Sequence, residues 1–182
     1  MLTINIEGGR FFDNSTNTFI VTDPVELQLE HSLISLSKWE AKWNKPFLDN
    51  KDKTPEQMLD YIRCMTMNKK KVDPKVYQLL TEENLMDIKN YIDSPMTATW
   101  FADDKKHRRP SREIITAEII YYWMIAQNIP PEYQKWHLNR LLTLIRVCSI
   151  KNAPPKKMGK KDIARQNRSL NAARRASTHS RG

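Results

Sequence analysis

At the start of the chain, apolar and polar side chains alternate. Leu2, Ile4 and Ile6 keep this period of two, which predicts a half-buried strand. Gly8-Gly9 interrupts it. Phe11-Phe12, the turn-rich stretch Asp13 to Asn17, and Phe19-Ile20-Val21 follow and read as a β-hairpin. From Val25 two periods overlap. Val25, Leu27 and Leu29 alternate, whereas Val25, Leu29, Leu33, Leu36, Trp39 and Trp43 recur at helical spacing. The pattern predicts a strand over 24–30 that turns into a helix over 32–43. Pro46 then blocks continuation, because its ring removes a donor and clashes with the preceding turn.

Beyond this point the pattern is mainly helical. Thr54-Pro55-Glu56-Gln57 combines an N-cap, a proline at the first helical position and a capping-box glutamine. It opens an apolar face of Met58, Leu59, Tyr61, Ile62 and Met65. Asp73-Pro74 starts a short helix through Leu80. Thr81 caps a helix over 82–91, with Glu82 and Glu83 where the helix dipole favours acids. Pro95 ends it. Residues 96–101 (MTATWF) predict a short strand that joins the N-terminal sheet. A charged loop over 102–111 follows, with Ser111 as the cap of the next helix. That helix carries Ile114, Ile115, Ile119, Tyr122 and Met124 and is apolar nearly all round over 119–126, the mark of a central buried helix. Pro130-Pro131 separates it from a last body helix over about 131–150, striped by Tyr133, Trp136, Leu141, Leu144 and Cys148. Ala153-Pro154-Pro155 marks a boundary. The expected class is α+β: a small N-terminal antiparallel sheet packed on a mainly helical body. Residues 1–150 form one domain, β-rich over 1–30 and helical over 31–150. A basic tail over 151–182, disordered or ordered by a partner, completes the chain.

Charge sharpens this division. The formal net charge is +9 on 182 residues, yet residues 151–182 hold ten Lys or Arg against one acid, Asp162, and carry all of it. The body is neutral, so it gives no electrostatic reason to expect nucleic acid. Asp162 can cap a stretch over 163–176 that is mildly helical by propensity. The candidate partner-binding residues of the tail are Lys156, Lys157, Lys160, Lys161, Arg165, Arg168, Arg174 and Arg175. Either an acidic protein surface or nucleic acid suits them, since phosphate contacts dominate nucleic-acid affinity.

Candidate chemistry is sparse. His31, His107, His137 and His179 have no metal-type spacing, and His137 beside Trp136 reads as a satisfied structural histidine. Gly159-Lys160-Lys161 lacks the earlier glycine and the following hydroxyl of a phosphate-binding loop. Asp103-Asp104 sits among Lys and Arg and reads as a solvated loop. Cys64 and Cys148 suit reduced, packed thiols rather than a disulfide framework. No apolar run reaches the roughly 20 residues of a membrane-spanning helix. The alternating start is unlike a signal peptide. These features point to a non-enzymatic protein with no catalytic residue, metal or cofactor, and no membrane partner. Trp39 and Trp43, four apart on one helical face, are a candidate partner patch, weighed against packing over the small sheet. Trp100 and Trp123 read as core.

Four segments carry a resemblance. Residues 29–40 (LEHSLISLSKWE), 61–66 (YIRCMT), 134–148 (QKWHLNRLLTLIRVC) and 154–158 (PPKKM) resemble small proteins encoded in tail-gene modules of bacteriophages and prophages. They are spread along the chain from 29 to 158. The resemblance implies a siphophage tail assembly chaperone, which binds the tape-measure protein in the host cytoplasm before the tail tube polymerises around it. Such a role needs no active site and allows self-association. Two other readings stay open: a nucleic-acid-binding protein that uses its basic tail, and a structural tail component retained in the virion.

Overall fold

In the computed structural model, which describes residues 1–13, 17–49, 52–101, 114–154 and 159–178, the fold is α+β. Its four strands form one long hairpin interrupted in the middle. β1 (Leu2–Ile6) pairs antiparallel with β4 (Val25–Leu29), and β2 (Gly9–Asp13) pairs antiparallel with β3 (Thr18–Thr22). Ile6 faces Val25 and Gly9 faces Thr22, so the register runs on across the break. The break has a steric cause. Pro24 has no amide hydrogen to give a ladder. Gly8 lies so close that a Cβ there would sit 2.6 Å from the Thr22 carbonyl oxygen and 2.8 Å from Pro24 Cδ.

The inner half of the hairpin packs on helices. Ile4, Ile6, Leu27 and Leu29 are buried. The other edge of β4 is covered by residues 65–68: Glu30 N–H donates to the Met65 carbonyl at 2.9 Å, and Met67 N–H donates to the Gln28 carbonyl at 2.8 Å. Asn68 extends the pairing with its side chain, its Oδ1 accepting from Gln28 N–H at 2.9 Å and its Nδ2 donating to the Glu26 carbonyl at 2.7 Å. Covering an edge in this way removes the unpaired backbone groups that would otherwise invite another strand. It also corrects the strand expected over 96–101. The β4 edge is already taken, Met96 adopts a left-handed φ of 47°, and residues 96–101 form no strand. Trp100 is 83% exposed there, so it is not a core residue.

The helices follow their caps. α1 (Leu33–Trp43) starts at Ser32, which exchanges hydrogen bonds with Ser35 in a capping box, and ends at Asn44 in the left-handed conformation. α2 (Pro55–Met65) starts with the Thr54–Gln57 box. A 3₁₀ turn over Pro74–Leu79 is capped by Asp73, and α3 (Glu82–Asp93) by Thr81 with Asn84. α4 (Ala117–Ala126) begins later than expected. Ile114 and Ile115 are not helical, and Ser111 lies outside the described residues. Its N-cap, Thr116, makes no side-chain cap bond; instead Glu40 of α1 accepts the Ala117 N–H at 2.7 Å. Nor is α4 buried all round. Ala117, Ile120 and Met124 face the core, whereas Tyr122 and Ile125 are 66% and 74% exposed. A 3₁₀ turn over Pro131–Lys135 precedes α5 (Leu138–Asn152), which buries Leu138, Leu141 and Ile145 along one stripe. α6 (Lys160–Thr178) is the last element among the described residues.

The chain divides into two compact units, Met1–Ser149 and Ile150–Gly182. The second unit holds the 19-residue helix α6. It starts at Lys160, so Asp162 falls inside its first turn rather than capping it. Among the described residues, no helix is long and apolar enough to cross a membrane.

Candidate functional site

Two features of the first unit stand out chemically: a buried polar cluster and an apolar groove. The cluster forms where β4 hands over to α1 and meets the start of α5. Leu138 N–H donates to the His31 carbonyl at 2.7 Å, and Ser32 and His137 form an antiparallel bridge. This backbone splice stacks His31 on His137, with ring centroids 5.0 Å apart in an edge-to-face arrangement. The Tyr61 hydroxyl lies 2.6 Å from His31 Nδ1. His137 Nε2 lies 3.0 Å from the Tyr91 carbonyl, so that nitrogen must carry the proton. His137 Nδ1 is buried with no hydrogen-bond partner among the described residues, so His137 is only partly satisfied there. Tyr91 in turn donates its hydroxyl to Glu30 at 2.7 Å, and Glu30 also receives the N-terminal ammonium at 3.0 Å.

Burial sets the electrostatics. Desolvation, with the neighbouring His137 adding to it, lowers the His31 pKa to about 3. Desolvation lowers that of His137 as well, against the Tyr91 carbonyl and Glu30, which favour the proton. Burial raises Tyr61 and Tyr91 well above the usual phenol range. Both imidazoles are therefore neutral near pH 7, and at 2% and 6% exposure they act as polar fasteners between β4, α1, α3 and α5. Sequence gave no signal of this pairing, because the two histidines meet only through the fold.

The groove lies between α2, the 3₁₀ turn over Pro74–Leu79 and the start of α3. It holds about 440 Å³ and is lined mainly by Met58, Leu59, Tyr77, Leu80 and Leu85. Leu85 is 43% exposed at its rim, and Met86 beside it is 57% exposed. Met58 and Leu59 were legible as an apolar helix face; that they front a groove was not.

The tryptophan patch is corrected. Trp39 is 1% exposed and donates its indole N–H to the Gln57 carbonyl at 2.8 Å. Trp43 is half-buried and donates to Asp60 Oδ2 at 2.9 Å. The pair packs between α1 and α2, which leaves Trp39 no surface to offer a partner. Trp123 packs against the core as expected, and Cys64 and Cys148 are free, half-buried thiols. His107, His179, Asp103, Asp104, Lys156 and Lys157 lie outside the described residues. Lys160, Lys161, Arg165, Arg168, Arg174 and Arg175 all fall on α6. Among the described residues, no group of three His, Cys, Asp or Glu is arranged to hold a metal ion.

No protein-family model, no curated protein sequence and no solved structure matches this chain.

Proposed function

We propose that this protein is a non-enzymatic assembly factor of a phage tail, and that it shields an apolar helix of the tape-measure protein before the tube forms. The groove between α2 and α3 carries this reading. It is apolar and open, and Leu85 sits at its rim, as expected of a seat for an amphipathic helix. The resemblance of four segments to phage tail-module proteins supplies the client.

The test is co-expression of the full chain with a tape-measure protein from the genome that encodes it. Co-purification is expected, together with a loss of at least tenfold in affinity for Leu85→Glu, whose exposure lets the variant fold. Failure to co-purify, or an unchanged affinity for Leu85→Glu, overturns the reading. A stoichiometric amount of the protein in purified particles would instead make it a structural tail component.

A further inference from the structure

We propose that α6 is a second, independent binding site: a helix that docks its basic face on the phosphates of double-stranded DNA. The argument begins with spacing. At 3.6 residues per turn, positions 161, 165, 168, 172 and 175 fall in one row. They are Lys161, Arg165, Arg168, Ala172 and Arg175, and all five are exposed. The row extends over about 21 Å of helix axis, at roughly 1.5 Å per residue. The opposite side carries Ile163 and Leu170, 43% and 49% exposed, together with Arg174. Four of the six basic residues of α6 thus share one face.

Three observations favour DNA over other polyanions. The first is the shape of the helix. Between its charges stand Ala164, Ser169, Ala172, Ala173 and Ala176, so the helix is slim along most of its length. A slim helix fits the B-form major groove, which is roughly 12 Å wide. The second is the choice of cation. Three of the four are arginine, whose planar fork binds a phosphate through two parallel hydrogen bonds. The third is register. An acidic protein helix must present carboxylates at matching intervals, whereas a duplex offers about one phosphate charge per 1.7 Å of axis on any sequence. Two isolated apolar residues are too narrow a face for a membrane-surface helix, which needs a broad apolar side.

The site does not depend on the client groove, and the two can fail separately. The test uses the full chain and a fluorescent 30-base-pair duplex of arbitrary sequence. Four phosphate contacts predict a log–log salt slope near −3.6, or about a hundredfold loss of affinity between 50 and 200 mM salt. Arg168→Gln should lower the slope by about one, and Arg168→Lys should retain it. Arg174→Gln, on the opposite side, should leave it unchanged. Replacing Lys161, Arg165, Arg168 and Arg175 together by Gln, a good helix former, should reduce binding at least a hundredfold at 50 mM salt with helical content preserved. Duplex binding that survives the fourfold replacement, equal slope losses for Arg168→Gln and Arg174→Gln, or capture of poly-glutamate in preference to the duplex would each overturn the proposal.

Discussion

The two halves of the N-terminal hairpin share a register, yet they have opposite fates. The inner half buries Ile4, Ile6, Leu27 and Leu29, with Leu27 and Leu29 at 0% exposure. The outer half leaves Phe12, Phe19 and Val21 at 45%, 66% and 67%. Alternation decides that a strand forms and which side chains share a face. What covers that face is decided elsewhere: α3 packs on β1, and residues 65–68 pair with the edge of β4. The break at Gly8 and Pro24 separates the two environments.

The largest expected effect comes from cutting into the covered half. Leu27→Ala removes fully buried methyl groups and leaves a cavity that the surrounding core only partly fills. It should cost about 2–5 kcal/mol, or on the order of 10 °C in Tm for a chain of this size. Val21→Ala in the outer half should cost under about 0.5 kcal/mol, as exposed substitutions do. Urea melts of the two variants measure the contrast. Equal losses would mean that the two halves are equally packed and would remove the comparison.

A smaller effect follows from where the inner half leads. β4 runs directly into His31, which burial holds neutral with a pKa near 3, and onto His137, also lowered. In the unfolded chain both imidazoles take up protons near pH 6.5. Over the interval from about 6.5 down to 3 the unfolded state binds more protons than the native state. Stability is therefore full above pH 6.5 and declines as pH falls. Between pH 7 and 5.5 His31 alone should cost about 1 kcal/mol. Glu40, whose carboxyl is raised by burial, acts in the opposite sense, so the decline should be steeper in a Glu40→Gln background. A urea midpoint that stays level across this range would show that the histidines are not held neutral.

Much of the fold is legible in the sequence because its signals are local. The boxes at Thr54–Gln57 and Thr81, the Asp73-Pro74 start and the strand-to-helix change near Leu29 all depend on neighbours within one turn. What could not be read depends on distant partners. Residues 96–101 carry strand propensity, but residues 65–68 already occupy the edge of β4. The apolar run over 119–126 indicates a helix, but not that Tyr122 and Ile125 are left uncovered. Trp39 and Trp43 sit on one helical face as their spacing implies, and that face is turned inward by hydrogen bonds to Gln57 and Asp60 on α2. The candidate sites follow the same rule. The basic row of α6 is a matter of local periodicity, whereas the groove and the His31–His137 contact exist only once separate elements are brought together.

The smallest effect should come from the outer half itself. Phe12 and Phe19 are directly opposed across β2 and β3, their rings 5.1 Å apart in an edge-to-face contact. Arg10 lies over the Phe19 ring at 5.7 Å. Cross-strand aromatic pairs of this kind contribute about 0.2–1 kcal/mol. Phe19→Thr keeps β-propensity while removing the ring, so its cost should stay below about 1 kcal/mol. A double-mutant cycle with Phe12→Thr should return a coupling of about 0.5–1 kcal/mol, with the urea slope unchanged. The unchanged slope is the discriminating reading. If the pair only braces an exposed arm, losing it leaves the surface exposed on unfolding as it was. A loss above 2 kcal/mol, or a marked change in slope, would mean that the arm unfolds with the core, and the break at Gly8 would not separate two environments.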